Sequence, residues 1–211
     1  MLKKNTDLYK EKYDQVSNDQ LERINEFLIE NKFSKKDIDK FNKEFDRILN
    51  LKRETLKMVF NIIPESTPRP RLNFKHGNFY VKNAHSNNEF LRLLVDKEEC
   101  LQNYITTPCY FTCKMYFPIP SNMNKIEKLL AEVGAIQPPI NKDWDNLGKT
   151  YSDMVQKWLL ISDALITKGT SEKYWSLKPR VEIYIDYLTE YDCKFNQKLI
   201  EKSKAYQSSI E

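Results

Sequence analysis

The sequence predicts an α+β fold, in which a small mixed sheet packs against helices and follows an N-terminal helical extension. Apolar residues at helical spacing, including Leu21, Ile24 and Leu28, indicate amphipathic helices near the start of the chain. Farther on, the aromatic and β-branched segment YFTCKMYFPIP is typical of a strand. Near the C-terminus, Val181 and Ile183 alternate with polar residues, which is the pattern of a half-buried strand.

The composition is that of a folded protein with a heavily charged surface. Hydrophobic residues make up 40% of the 211 residues, which is enough to build a core and argues against disorder. Only 4 residues are glycine and no glycine-rich phosphate-binding motif occurs, so a nucleotide-binding loop of that kind is excluded. The net charge of +4 permits nucleic-acid binding without requiring it.

The cysteines and the apolar segments bear on metal content and location. None of the 4 cysteines forms a CxxC pair and only 2 histidines are present, so a structural zinc site is not expected. We expect buried thiols in a reducing compartment. No segment is apolar enough for a signal peptide or a membrane span, so we expect a cytoplasmic protein without a membrane partner.

Residues 1–56 are predicted to form the helical extension. Ser17 with Gln20, and Ser34 with Asp37, are spaced as N-terminal caps, which predicts two helices with a break at residues 31–34. Two interpretations of this extension remain. It is either a helical pair packed on the main domain or an arm that binds a partner or positions DNA.

The main domain is predicted to span residues 57–190, and a polar tail, helical or frayed, occupies residues 191–211. Its expected strands and helices alternate along the chain. The expected strands are 57–64, two short pieces around a turn at 76–78, 110–120, 164–174 and 180–187; the expected helices are 87–94, 124–133 and 146–159.

Asp143 and Asp145 are the strongest candidates for chemistry. In an extended segment, this spacing puts both carboxylates on one face, roughly 6 to 7 Å apart. Trp144, between them, is then expected to point to the opposite face and to support the site from the core. Mg²⁺ prefers such oxygen ligands, together with water and substrate phosphate. The pair precedes a predicted helix whose N-terminus favours phosphate, and Lys149 lies about one turn into that helix. By spacing alone, helix capping by the acidic residues remains an alternative, and the place of Asp163 relative to the pair stays open.

The segment Asp143-Trp-Asp-Asn-Leu-Gly-Lys149 resembles the D-x-D-N-x-x-K signature of the RusA family of Holliday junction resolvases. The resemblance extends over roughly residues 57–188. Its further matching elements are Arg69-Pro70-Arg71, Asp153, the segment Ser162-Asp163-Ala164-Leu165-Ile166, Lys173 and the strand from Pro179 to Ile185. Two positions depart from the family pattern, since Ser162 replaces the first of two aspartates and Lys142 stands where proline is usual.

The resemblance implies a homodimeric endonuclease that nicks four-way DNA junctions with Mg²⁺ or Mn²⁺, in a family often encoded by phages or prophages. It implies that Asp143, Asp145 and Asp163 hold the metal ion and that Lys149 is the catalytic lysine. Two other functions remain open. One is an inactive module that binds branched DNA or serves assembly, and the other is a nuclease for flaps, forks or packaging intermediates. Basic residues near the predicted site are candidate DNA contacts, namely Arg69, Arg71, Lys75, Lys168 and Lys173.

Overall fold

The computed structural model describes residues 17–66, 71–73, 78–80, 85–97, 105–140, 143–156, 158–190 and 201. The chain divides into two compact units, residues 1–50 and residues 51–211.

The first unit contains two capped helices, α1 (Asn18–Glu30) and α2 (Lys35–Leu49). Both predicted capping boxes are confirmed. The Ser17 hydroxyl accepts a hydrogen bond from the Gln20 amide at 3.2 Å, and the Gln20 side chain accepts one from the Ser17 amide at 2.8 Å. Ser34 and Asp37 exchange the equivalent bonds. These reciprocal bonds satisfy amide groups that a helix start leaves unpaired, and so they fix where each helix begins.

The second unit contains strands and helices in alternation, as the sequence predicts. Its strands are β1 (Arg53–Phe60), β2 (Arg71–Asn73), β3 (Asn78–Tyr80), β4 (Cys109–Pro118), β5 (Ile166–Ser176) and β6 (Arg180–Leu188). Its helices are α3 (His85–Val95), α4 (Lys125–Glu132) and α5 (Trp144–Gln156), and a 3-10 turn (Asp163–Leu165) directly precedes β5.

Four strands form one mixed sheet in the order β1-β6-β4-β5. β6 runs antiparallel to β1 and β4, whereas β4 and β5 run parallel. The parallel pair requires a crossover, and α4 and α5 lie in that connection. β5 is therefore an edge strand of this sheet. The short strands β2 and β3 pair separately as an antiparallel ladder. This α+β arrangement confirms the predicted fold class.

One face of the sheet is buried under helices. Cys113, Met115, Val181 and Ile183 are all 0% exposed. Along β4 the buried residues alternate with half-buried ones, as the sequence pattern predicts, whereas in β6 Glu182 is also buried, with 8% of its surface exposed. Burial also raises the pKa of the Cys113 thiol, which favours the inert thiol form.

Aromatic residues join α3 and α5 to the sheet. The Phe90 ring of α3 lies 4.4 Å from the Phe60 ring of β1 and 5.1 Å from the Tyr151 ring of α5, measured between centroids. The Tyr151 hydroxyl accepts a hydrogen bond of 3.0 Å from the Glu65 amide. Burial raises the pKa of Tyr151, so its hydroxyl stays protonated near neutral pH. The helix that carries the candidate site is thus fixed from its buried side.

Several predicted boundaries were wrong, and two of them matter for the sheet and for the helix of the site. β1 begins at Arg53 rather than at Lys57, because residues 53–56 already pair with β6. α5 begins at Trp144 rather than at Asn146, so Asp145 lies inside the helix. The predicted turn at residues 76–78 and the predicted tail at 191–211 lie outside the described residues, apart from Asn78 and Glu201. No helix in the described ranges is long and apolar enough to cross a membrane.

Candidate active site

Asp143 and Asp145 lie at the N-terminus of α5, and both residues are exposed. Asp143 immediately precedes the helix, and its carbonyl accepts the Leu147 amide at 3.1 Å. Asp145 lies in the first helical turn. The expected extended geometry is therefore wrong for Asp145. Both residues still lie at the helix start, where the helix dipole stabilises negative charge and favours a phosphate.

Lys149 lies one turn farther along α5, as predicted. Its Nζ is 3.2 Å from the Asp153 Oδ1, and both side chains are exposed. An exposed ion pair of this kind contributes at most about 1 kcal/mol. A phosphate at the helix N-terminus therefore competes readily with Asp153 for this ammonium group.

Trp144 separates the two aspartates in sequence. It was expected to point into the core, but 56% of its surface is exposed. Its indole Nε1 donates a hydrogen bond of 2.6 Å to the Ser171 carbonyl of β5. The indole therefore ties the start of α5 to the edge strand, a role that no periodic pattern in the sequence indicates.

Gly148 lies where α5 packs closely against Ser171 of β5. A β-carbon at this position would lie 1.9 Å from the Ser171 Oγ and 3.2 Å from the Ser171 Cβ. Glycine inside a helix costs about 1 kcal/mol relative to alanine. Here the missing side chain allows helix and strand to come together, which offsets that cost.

Asp163 is exposed and begins the 3-10 turn before β5. The Ser162 hydroxyl accepts a hydrogen bond of 3.2 Å from the Ala164 amide and so caps this turn. Ser162 departs from the family pattern, yet it has a local structural role that aspartate also performs well. The serine therefore has a local structural explanation.

Asp163 is separated from the pair within one chain. The 13 residues of α5 extend roughly 18 Å, at 1.5 Å per residue, and Asp163 follows the C-terminal end of that helix. Ser171, which touches the start of α5, lies roughly 16 Å along β5 from Ile166. Consistently, no group of three histidine, cysteine or acidic side chains in the described part of the chain is placed to hold a metal ion.

Comparison with known proteins identifies the family. A family model described as "Endodeoxyribonuclease RusA" matches residues 61–186, which is more than half of the chain. The chain belongs to the RusA endodeoxyribonuclease family. The matched span of this RusA family member contains Asp143, Asp145, Lys149 and Asp163. Among curated proteins, it is similar to "Uncharacterized protein YqaN" of Bacillus subtilis (strain 168), with 27% identity over 126 residues, which cover 58% of this chain and 89% of that protein.

The candidate DNA contacts of this RusA family member fall into two groups. Arg69 and Lys75 lie outside the described residues, and only the backbone of Arg71 is described, in β2. Lys168 and Lys173 both lie on β5 but on opposite faces, because Lys168 is paired with Tyr110 and Lys173 with buried Met115. Lys173 thus shares the sheet face of α5. Lys168 lies on the other face, with its Nζ 5.6 Å from the centroid of the Tyr110 ring.

Proposed function

We propose that this chain is a structure-selective endonuclease that cuts four-way DNA junctions or related branched DNA by divalent-metal-dependent hydrolysis. The observation that carries the proposal is the pair Asp143 and Asp145 at the start of α5, with Lys149 one turn beyond. This set lies inside the span that matches an endodeoxyribonuclease family. Acidic residues, a helix N-terminus and a lysine are the parts that a phosphodiester substrate and a metal ion require together.

The residues at the start of α5 fit a divalent ion by their chemistry. Carboxylate oxygens are the ligands that Mg²⁺ and Mn²⁺ prefer. Asp143 and Asp145 are both exposed, so an ion in solution can reach their side chains. We propose that Asp143, Asp145 and Asp163 hold the ion. When bound, such an ion lowers the pKa of a coordinated water and stabilises charge on the scissile phosphate.

The protein's own groups have separate tasks in this proposal. The amide groups of the first turn of α5 orient the phosphate, because they point out of the helix start. Lys149 leaves Asp153 and neutralises the charge that develops on the phosphate oxygens. Lys173, on the same face of the sheet as α5, positions the DNA backbone and reads no base.

We further propose that the enzyme is a homodimer in which Asp163 of one subunit completes the pair of the other. Support comes from the length of α5, which separates Asp163 from Asp143 and Asp145 within one chain. A dimer that shares its ligands in this way forms two equivalent sites related by a two-fold axis. Such symmetry suits a substrate in which two strands are cut.

Mixed dimers test this arrangement. Asp145→Asn and Asp163→Asn subunits, carrying different tags and purified together, are expected to nick junctions although each variant alone is inactive. If ligands are shared, one site of the mixed dimer keeps Asp145 and Asp163 intact. The product is then a single nick without paired cuts. A mixed dimer as inactive as its parents would show that each subunit holds its own three ligands.

The proposed function is tested by cleavage of a labelled four-way junction beside a linear duplex of the same sequence. Paired nicks in the junction that require Mg²⁺ or Mn²⁺ and stop with EDTA are expected. Cleavage confined to flaps or forks would support the nuclease activity but contradict the four-way junction as its substrate. Junction binding without nicking at any metal concentration would contradict the proposed nuclease activity and favour a module that only binds branched DNA.

A further inference from the structure

The contact between α5 and β5 has a part in the site beyond packing. We propose that Trp144 and Gly148 are positioning residues, which fix the start of α5 against Ser171 and thereby set how Asp143 and Asp145 bind the divalent ion. This inference rests on the proposed function. It concerns the residues between the two aspartates and directly after them, not the ligands themselves.

The hydrogen bond from Trp144 restrains the backbone at the site. Its indole Nε1 reaches the Ser171 carbonyl at 2.6 Å, and Trp144 is bonded covalently to both Asp143 and Asp145. More than half of the ring surface is exposed, so burial accounts for little of its placement. This hydrogen bond therefore restrains Trp144, and a movement of Trp144 would displace the carboxylates of Asp143 and Asp145.

The absence of a side chain at Gly148 allows α5 to lie close to Ser171 of β5. Ser171 is paired with buried Cys113, so its side chain lies on the sheet face that α5 covers. A β-carbon at Gly148 would meet the Ser171 Oγ at 1.9 Å and the Ser171 Cβ at 3.2 Å. The hydroxyl can turn away by rotation about the Cα–Cβ bond, but the Cβ is fixed by the strand. A β-carbon at Gly148 therefore requires this part of the helix to move away from the strand by a few tenths of an ångström.

The remainder of α5 is anchored independently of this contact. Farther along the helix, Tyr151 and Val155 are both 0% exposed in the core. A small outward movement of the first turn therefore leaves the fold intact. This movement shifts the backbone that carries Asp143 and Asp145. Changes to groups that support metal ligands typically weaken metal affinity about 10- to 100-fold.

The test measures Mn²⁺ affinity by electron paramagnetic resonance, without DNA. Gly148→Ala is expected to weaken Mn²⁺ binding about 10-fold. Adding Ser171→Gly removes both clashing atoms and is expected to restore most of that affinity. Gly169→Ala is the matched control, because a β-carbon there would meet only the Ile166 Cγ2, at 4.0 Å. Its Mn²⁺ affinity is expected to equal that of the wild type.

Trp144→Phe tests the hydrogen bond separately. It is expected to weaken Mn²⁺ binding and to speed amide hydrogen exchange in the first turn of α5. Trp175→Phe is the control, because the buried indole Nε1 of Trp175 has no hydrogen-bond partner to lose. That variant is expected to leave both measurements unchanged.

Three results would overturn the inference, and only the last of them would also overturn the proposed function. If the wild type binds Mn²⁺ and cuts junctions while Gly148→Ala and Trp144→Phe bind Mn²⁺ equally well, this inference alone fails. If Gly148→Ala weakens binding and Ser171→Gly does not restore it, the close contact is not the cause. A wild type that binds no Mn²⁺ would remove the proposed function together with this inference.

Discussion

Asp145→Asn is expected to lower the rate of junction cleavage by about 10³-fold or more while the protein still binds the junction. The substitution keeps the shape of the side chain and removes a charged oxygen ligand from the first turn of α5. Metal ions contribute several kcal/mol of transition-state stabilisation in such reactions, and each 1.36 kcal/mol is about tenfold in rate. Binding is expected to be equal or tighter, because a negative charge near the phosphate is lost.

The measurement is single-turnover cleavage of a four-way junction, with gel-shift binding recorded alongside in EDTA. Asp19→Asn is the matched control, since Asp19 also lies exposed in the first turn of a helix, α1, in the other unit. That variant is expected to cut at the wild-type rate. Cleavage by Asp145→Asn at the wild-type rate would remove Asp145 from the site, and loss of junction binding would assign it to DNA contact instead.

Phe90→Ala is expected to lower the free energy of unfolding of the second unit by about 3–5 kcal/mol, the usual cost of removing a buried phenyl ring. Phe90 is 0% exposed and lies between Phe60 and Tyr151. Its loss leaves a cavity between the sheet and α5, and the surrounding side chains fill it only in part. Because Tyr151 belongs to the helix of the site, cleavage at raised temperature is expected to fall as well.

Urea unfolding followed by circular dichroism measures this effect. Leu129→Ala serves as its control, because Leu129 lies in α4 of the same unit and 61% of its surface is exposed. Surface substitutions of this kind usually change stability by less than about 0.5 kcal/mol. Equal midpoints for the two variants would mean that Phe90 does not join α3 to α5 in solution.

Local patterns in the sequence determined most of the secondary structure. The two capping boxes at Ser17 and Ser34 gave the starts of α1 and α2, because a cap depends on residues three positions apart. The alternation in β4 and β6 likewise predicted their buried faces, because the side chains of a strand point to alternate faces with a period of two residues. The motif from Asp143 to Lys149, together with the other matching elements over residues 57–188, indicated the family, which the match over residues 61–186 confirms.

The arrangement of the site was decided by tertiary structure. The sequence placed Asp145 in an extended segment and Trp144 in the core, and both predictions were wrong. The indole instead bonds to a carbonyl 27 residues away, on a strand that only the crossover brings beside α5. No local period encodes that distance. The contact of Trp144 therefore follows only from the packing of α5 on β5.

The same physical reason separates the remaining site residues. Lys168 and Lys173 look alike in the sequence, but an odd spacing on one strand puts them on opposite faces of the sheet. Asp143 and Asp163 flank one helix, and the length of that helix keeps them apart. The sequence by itself indicated the candidate site residues and most of the elements that hold them. Only the fold decided which of them meet, because contacts between distant segments depend on how helices and strands pack.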